Sequence, residues 1–222
     1  MKKYIVLIFA ILVAICWLGC GGEKDTVSIS EANVGNFVKY GNYRGTPIIW
    51  KVFDVNQNSK MLVSEYALDI KEYNDKNNKK ADWQNSTIRK WLNHDFIDNA
   101  FSLEEQRNIV STKRRENVYD KVFLLSKNEV EGYFTTKEDR KCYPTSYVKE
   151  NNENVSGSND CIGYWLDTEE RSSETLRIYG KNVYWNYYVD YRGNTNTVLV
   201  WSPIIELIAK YGVRPVIWVK TK

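Results

Sequence analysis

Histidine is almost absent from this chain: His94 is the only one in 222 residues. A serine or cysteine nucleophile needs a base within hydrogen-bond reach, and His94, which directly follows Trp91-Leu92-Asn93, reads as a surface or boundary residue instead. Charge of one sign is not in excess either, with 31 basic against 28 acidic residues, and this balance argues against nucleic acid as a partner. Beyond Tyr4–Leu18 no long apolar run exists, and that run falls short of the ~20 residues that cross a bilayer as a helix. Carboxylates are scattered among lysines without the distinctive pairing of a glycoside hydrolase. No metal and no cofactor is expected.

What is present begins at the N-terminus. Lys2 and Lys3 precede the apolar run Tyr4–Leu18, the pattern of a secretory signal peptide covering residues 1–19. The run closes on Trp17-Leu18-Gly19-Cys20-Gly21-Gly22, which resembles the bacterial lipobox, a small residue before a cysteine whose thiol receives diacylglycerol. Trp17 departs from that pattern, where a modest aliphatic residue is usual. The expectation is an exported lipoprotein, cut before Cys20 and held through lipid on Cys20 to the cell membrane or outer envelope surface. The mature chain then has one more basic than acidic residue, because only Lys2 and Lys3 leave with the leader.

Residues 20–33 read as the lipidated cysteine and a flexible polar tether, and residues 34–222 as one folded domain. Of four cysteines, Cys16 leaves with the signal peptide and Cys20 is lipidated. Cys142 and Cys161 remain, either as a disulfide or as two thiols. An exported setting permits the bond, which would close a loop of about twenty residues and contribute about 3 kcal/mol.

Asn36–Tyr43, Pro47–Val55 and Lys60–Ser64 are β-branched and aromatic stretches parted by turn residues, and predict three opening strands. Ile88, Trp91, Leu92 and Phe96 have helical spacing behind a cap at Asn85 or Ser86. Ser102/Glu105 and Ser126/Glu129 carry the capping-box spacing, and Lys121–Leu125 reads as a core strand. Val183–Tyr191 alternates with period two, as a strand does, and Arg192-Gly193-Asn194 turns the chain toward Thr197–Trp201. Pro203–Tyr211 predicts a short helix and Val213–Val219 a closing strand. Asn151–Asp160 reads as an exposed loop in which Glu153 and Asp160 could offer oxygen ligands to calcium, although solvation is the simpler role.

A longer series then stands out: Trp50, Met61-Leu62-Val63-Ser64, Ala67-Leu68-Asp69, Trp83, Ser86–Asn93, Asp120–Ser126, Arg140–Thr145, Trp165-Leu166, and Gly212-Val213-Arg214-Pro215-Val216-Ile217-Trp218. It resembles a family of uncharacterised bacterial domains of unknown function, common in exported proteins and marked by W-L-N and a closing G-V-R-P, over roughly residues 36–220. That pattern is similar to C-type-lectin-like domains. The resemblance implies an α+β fold, a single C-type-lectin-like domain whose first and last strands pair, with two early helices and a long loop region before the final strands. It does not extend to the calcium motif of sugar-binding lectins, since Trp185-Asn186-Tyr187 lacks the final carboxylate. Arg89 and Arg214 fit the pattern and read as ion-paired or backbone-bonded structural residues.

The functional expectation is a non-catalytic binding module for carbohydrate or protein. Its candidate ligand-binding residues are Tyr184, Trp185, Tyr187, Tyr188, Tyr191 and Arg192, because both faces of that strand are aromatic and one core cannot absorb them all. The alternative is an envelope enzyme acting on glycan or protein thiols, with Cys142 and Cys161 or dispersed carboxylates in its site.

Overall fold

The computed structural model describes residues 24–75, 78, 82–151, 157–158, 161–167, 176–178, 181–201 and 209–221. β1 (Phe37–Tyr43) and β2 (Thr46–Val55) form a hairpin. Its two linking residues, Arg44 and Gly45, both have positive φ, 54° and 80°, the backbone that matches the twist of a two-residue hairpin loop. Burial alternates along β2, with Ile48, Trp50 and Val52 inward and Ile49, Lys51 and Phe53 half-exposed, as period-two patterning requires. β3 (Ser59–Ser64) is buried at every position, which fits its central place in a five-stranded sheet of order β1-β2-β3-β17-β8, where β8 is Val122–Phe123 and β17 is Val216–Lys220.

The face of this sheet that carries Val38, Trp50 and Val52 is covered by the first helices, while Tyr133 and Phe134 pack on Phe53 from the other side. Ser86 caps α1 (Thr87–Trp91) by accepting from the Arg89 amide. The helix continues through a π-helical stretch, Leu92–Phe96, into α2 (Ile97–Ala100). Ile88, Leu92, Phe96 and Ile97 are buried, and Trp50 stacks on Phe101 with ring centres 6.3 Å apart. Full capping boxes open α3 (Leu103–Asn108) and α4 (Lys127–Tyr133). A third, Thr136 with Asp139, opens α5 (Lys137–Arg140). Among the described residues the last helix is α6 (Ser146–Asn151).

A second sheet has the order β13 (Leu176–Ile178), β14 (Lys181–Val189), β12 (Tyr164–Trp165), β16 (Lys210–Val213), β5 (Asp69–Glu72), with β15 (Thr195–Trp201) paired to β14. Smaller pairs join β4 (Tyr66–Ala67) to β9 (Tyr143–Pro144), β6 (Thr112–Arg115) to β7 (Val118–Asp120), and β10 (Gly157–Ser158) to β11 (Cys161–Ile162). Two of the passages between the sheets are short, Ser64–Asp69 from β3 to β5 and Val213–Val216 from β16 to β17. The two crossings bond to each other: the Ser64 amide donates to Pro215 O and the Leu68 amide to Val213 O, both at 2.9 Å. The G-V-R-P segment is therefore a crossover. A Cβ on Gly212 would sit 3.0 Å from Gly163 O, and Arg214 is 5% exposed, with Nε donating to Ser64 O at 2.9 Å.

The α+β, C-type-lectin-like expectation is corrected. Among the described residues the protein is mostly β, with several antiparallel sheets and few short helices. The last strand, β17, pairs with β3 and β8, while β1 pairs with β2. Helical periodicity lasts only from Ile88 to Ala100, and each capping box starts a helix of four to seven residues. The later chain instead carries alternating β-branched and aromatic residues that extend a second sheet. Lys210–Val213 is strand, where the sequence predicts the end of a helix; residues 202–208 lie outside the described residues. Packing also begins at Lys24, ahead of Val34: Thr26 bridges Phe37 and Ala32 is 1% exposed.

Candidate functional site

The motif residues are occupied with holding the fold. Asn93 of Trp-Leu-Asn clamps the β7–β8 junction: its Oδ1 accepts from the Lys121 and Val122 amides at 2.9 and 3.1 Å, and its Nδ2 donates to Val122 O at 2.8 Å. Asp120 is 2% exposed and accepts from Arg89 Nε at 2.7 Å and Trp83 Nε1 at 2.8 Å. Arg214 lies over the Phe134 and Tyr164 rings at 5.0 and 5.3 Å. These arginines are backbone-bonded and ion-paired, as the sequence suggests.

The aromatic strand is divided between surroundings. Tyr188 is half-buried and packs on Tyr211 with ring centres 4.3 Å apart, and Tyr211 in turn meets Trp165 at 4.8 Å. Tyr187 points to the other face, half-buried beneath Lys127 Nζ at 5.5 Å. Both cover the edge of the core. Tyr191 and the exposed Arg192 occupy the following turn, with the guanidinium 5.1 Å from the Tyr191 ring centre. Asp190 orders that turn by accepting from the Arg192 and Asn194 amides, each at 2.9 Å. Burial works against its charge, but the bonds from Asn194, Arg192 and Asn196 outweigh it and hold the carboxyl below its ordinary range. The side chains of Tyr184 and Trp185 lie outside the described residues, as do Cys20, Glu153 and Asp160.

Cys142 and Cys161 are free and buried. Burial pushes the Cys142 thiol up to about 11. Cys142 bridges Ile162, whose amide donates to Cys142 O at 2.9 Å. This register sets Cys161 opposite Tyr143 and turns the two cysteine side chains to opposite faces. Among the described residues no three His, Cys, Asp or Glu side chains converge as metal ligands. His94 is exposed on the π-helical stretch.

A different constellation gathers at the β1–β2 tip. A small pocket is lined there by Arg44, Pro47, Leu68, Thr145 and Tyr147 together with Tyr43. Gly41, at φ 73°, sits in the bulge between Lys39 and Asn42. The bulge shifts the parity of β1, so that Tyr43 turns inward. Its hydroxyl donates to Asp69 Oδ2 at 2.7 Å. Asp69 also faces Lys71 Nζ at 3.4 Å, and Lys71 lies 4.7 Å from the Trp91 ring centre. Burial, then the bond to Asp69, raises the Tyr43 hydroxyl well above its ordinary value and keeps it a neutral donor. The exposed Arg44 guanidinium lies 5.3 Å from the Tyr43 ring centre and 5.0 Å from that of Tyr147. Tyr43, through its hydrogen bond, raises the Arg44 value further. A cation held over two rings beside a small pocket can donate a planar fork to an oxyanion or hydroxyl pair while the half-buried Tyr147 offers an apolar edge.

Sequence reasoning read Arg44-Gly45 only as a turn. The signal that could have found the site is an arginine, rather than asparagine or aspartate, before the glycine of a two-residue hairpin. No curated protein and no solved structure matches the chain. Residues 57–221 match a Domain of unknown function (DUF6273), which includes Leu68, Thr145 and Tyr147 of the tip pocket and the Tyr43 partner Asp69, while the hairpin itself precedes it. With that match over most of its length, the chain belongs to the DUF6273 family of domains of unknown function.

Proposed function

We propose that this protein is an exported lipoprotein, anchored through Cys20 to the cell membrane or outer envelope surface, and that its folded part is a non-catalytic module binding carbohydrate or protein. The observation that carries the binding reading is Arg44, exposed and set over Tyr43 and Tyr147 at the mouth of the hairpin pocket. Tyrosine rings stack on the apolar face of a sugar or on a partner's side chain at low entropic cost. The guanidinium adds directional donors for hydroxyls and carboxylates. The alternative of thiol chemistry finds no support at Cys142, which is 0% exposed and whose raised value leaves thiolate scarce at neutral pH. Export and anchoring are supported by Lys2-Lys3, the apolar run and Gly19-Cys20.

The test is a glycan and envelope-protein array probed with the full chain in detergent micelles, beside an Arg44→Ala/Tyr147→Ala variant of unchanged thermal stability. Binding that disappears in the variant supports the module and its site. Binding retained there but lost in Tyr191→Ala/Arg192→Ala moves the site to the Asp190 turn, and no binding to any ligand overturns the reading. Lipid labelling lost on Cys20→Ala tests the anchor separately.

A further inference from the structure

The chain joins the fold at Lys24 with almost no slack. Lys24 Nζ pairs with Glu65 at 3.1 Å and lies 4.6 Å from the Phe37 ring centre. Thr26 bridges Phe37, and the Val27 amide donates to Phe37 O at 2.9 Å. The turn that follows closes with the Ala32 amide on Ser28 O at 3.0 Å. The Lys60 ammonium grips that turn, donating to Ser30 O at 2.9 Å and also to Ala32 O. Lys60 is 5% exposed. Peeling this segment away would strip a buried cation of two acceptors, a costly opening.

At most Gly21, Gly22 and Glu23 therefore separate Cys20 from the packed chain. Four Cα steps reach at most about 14 Å, and the headgroup layer alone is roughly 5–7 Å thick. On so short a leash the domain must rest against the bilayer with the surface that surrounds Lys24.

That surface is the outward face of the hairpin. Phe37 and Lys51 are cross-strand partners. Lys51 Nζ lies 5.9 Å from the Phe37 ring centre, and Lys39 is exposed nearby, while Phe53 on the same side of β2 is packed against Phe134 and Tyr133, with ring centres 4.9 and 5.9 Å away. The other face of the sheet, with Val38, Trp50 and Val52, is buried toward α1 and α2. Lysines set around the half-buried Phe37 ring suit a headgroup layer, where a ring sits at the interface and ammonium groups meet phosphate. Glu65 answers Lys24, and Asp139 stands in Coulombic reach of Lys51. The attraction is thus weak on its own and acts because an anchor keeps the face local.

We infer that, with lipid on Cys20, the protein lies with its Phe37–Lys51 face against anionic headgroups and α1–α2 turned away from the membrane. This rests on the anchoring reading above. The test places the full lipidated chain in vesicles of phosphatidylcholine and phosphatidylglycerol that contain a headgroup quencher, with a fluorophore at Lys39→Cys or at Asp95→Cys, the latter exposed on the far side of the helical layer. The chain without an added cysteine controls for labelling of the buried native thiols. Expected is several-fold stronger quenching at position 39 than at 95, abolished by a 20-residue Gly-Ser insertion after Glu23. Equal quenching at the two positions, or stronger quenching at 95, in a chain shown by mass to carry lipid overturns the orientation alone. A chain that carries no lipid overturns the anchoring reading and this inference together.

Discussion

The Tyr43 hydroxyl donates to the Asp69 carboxylate at 2.7 Å inside the fold, with both residues less than a tenth exposed. This bond ties the hairpin to β5 and fixes the ring on which Arg44 rests. Tyr43→Phe keeps the ring against Phe96, whose centre is 5.1 Å away, and removes only the donor. The expected loss is about 1–2 kcal/mol in urea unfolding at an unchanged slope, because Asp69 stays buried with one bond fewer. An unchanged midpoint would mean that the bond contributes nothing net.

Gly41 is the device that aims Tyr43. A Cβ at that position would stand 2.6 Å from Ala100 O and from the Phe101 ring, at a φ of 73° that side chains rarely adopt. Its amide also donates to Glu105 at 3.0 Å. Gly41→Ala is expected to cost about 2 kcal/mol or more through strain and collision together. It should also weaken any ligand bound at the tip, because β1 must shift relative to α2. A stability equal to that of the unaltered protein would remove the bulge from the account of the site.

The hairpin and the two capping boxes at Ser102 and Ser126 are legible in the sequence because each rests on contacts within a few residues, and the core strand before Ser126 is legible as a short apolar run although its partner β17 is remote. The Gly41 bulge is not, since Phe37-Val38-Lys39-Tyr40 alternates smoothly and only the approach of Ala100 and Phe101 shows why a glycine interrupts it. Tyr147 and Thr145 reach the tip from about a hundred residues away, through the parallel pairing of β4 with β9, and no local pattern announces that contact. The aromatic alternation of Val183–Tyr191 is a true strand signal. It does not tell a ring that binds from a ring such as Tyr188, which closes the core against Tyr211.

Acid stability should be governed by the pair of Arg114 and Glu129, whose guanidinium and carboxylate meet through two bonds of 2.8 and 2.7 Å. Burial pushes the Glu129 carboxyl up, but Arg114 and the Ser126 amide outweigh it and hold the value below the ordinary range. The stability it contributes is therefore full above about pH 4–5 and lost as pH falls through the folded value. Asp167 works in the opposite sense. Its burial raises the carboxyl despite Arg115 and Arg114, so the stability linked to it is full at low pH and lost as pH rises through the folded value. Glu129→Gln should flatten the acid limb of a urea-midpoint profile between about pH 3 and pH 7, while Asp167→Asn should steepen it. The reverse pattern would show that the two carboxyls are assigned the wrong way round.

Cys142 and Cys161 should remain thiols even under air. With Cys142 paired to Ile162, Cys161 stands across from Tyr143, and alternation sends the two sulfur atoms to opposite sides of the local ladder. A disulfide needs Cβ atoms about 3.5–4.5 Å apart and directed at each other. Forming one here would require the strands to slip by one residue, which would expose Ile162 and lose its amide bond to Cys142 O. The full chain, alkylated in denaturant after prolonged aeration, is expected to show both cysteines modified. Without denaturant neither should react at an appreciable rate, because both are less than a twentieth exposed and Cys142 stays protonated. A bonded pair found by non-reducing mass analysis would mean that this register is not the one adopted in the oxidised protein.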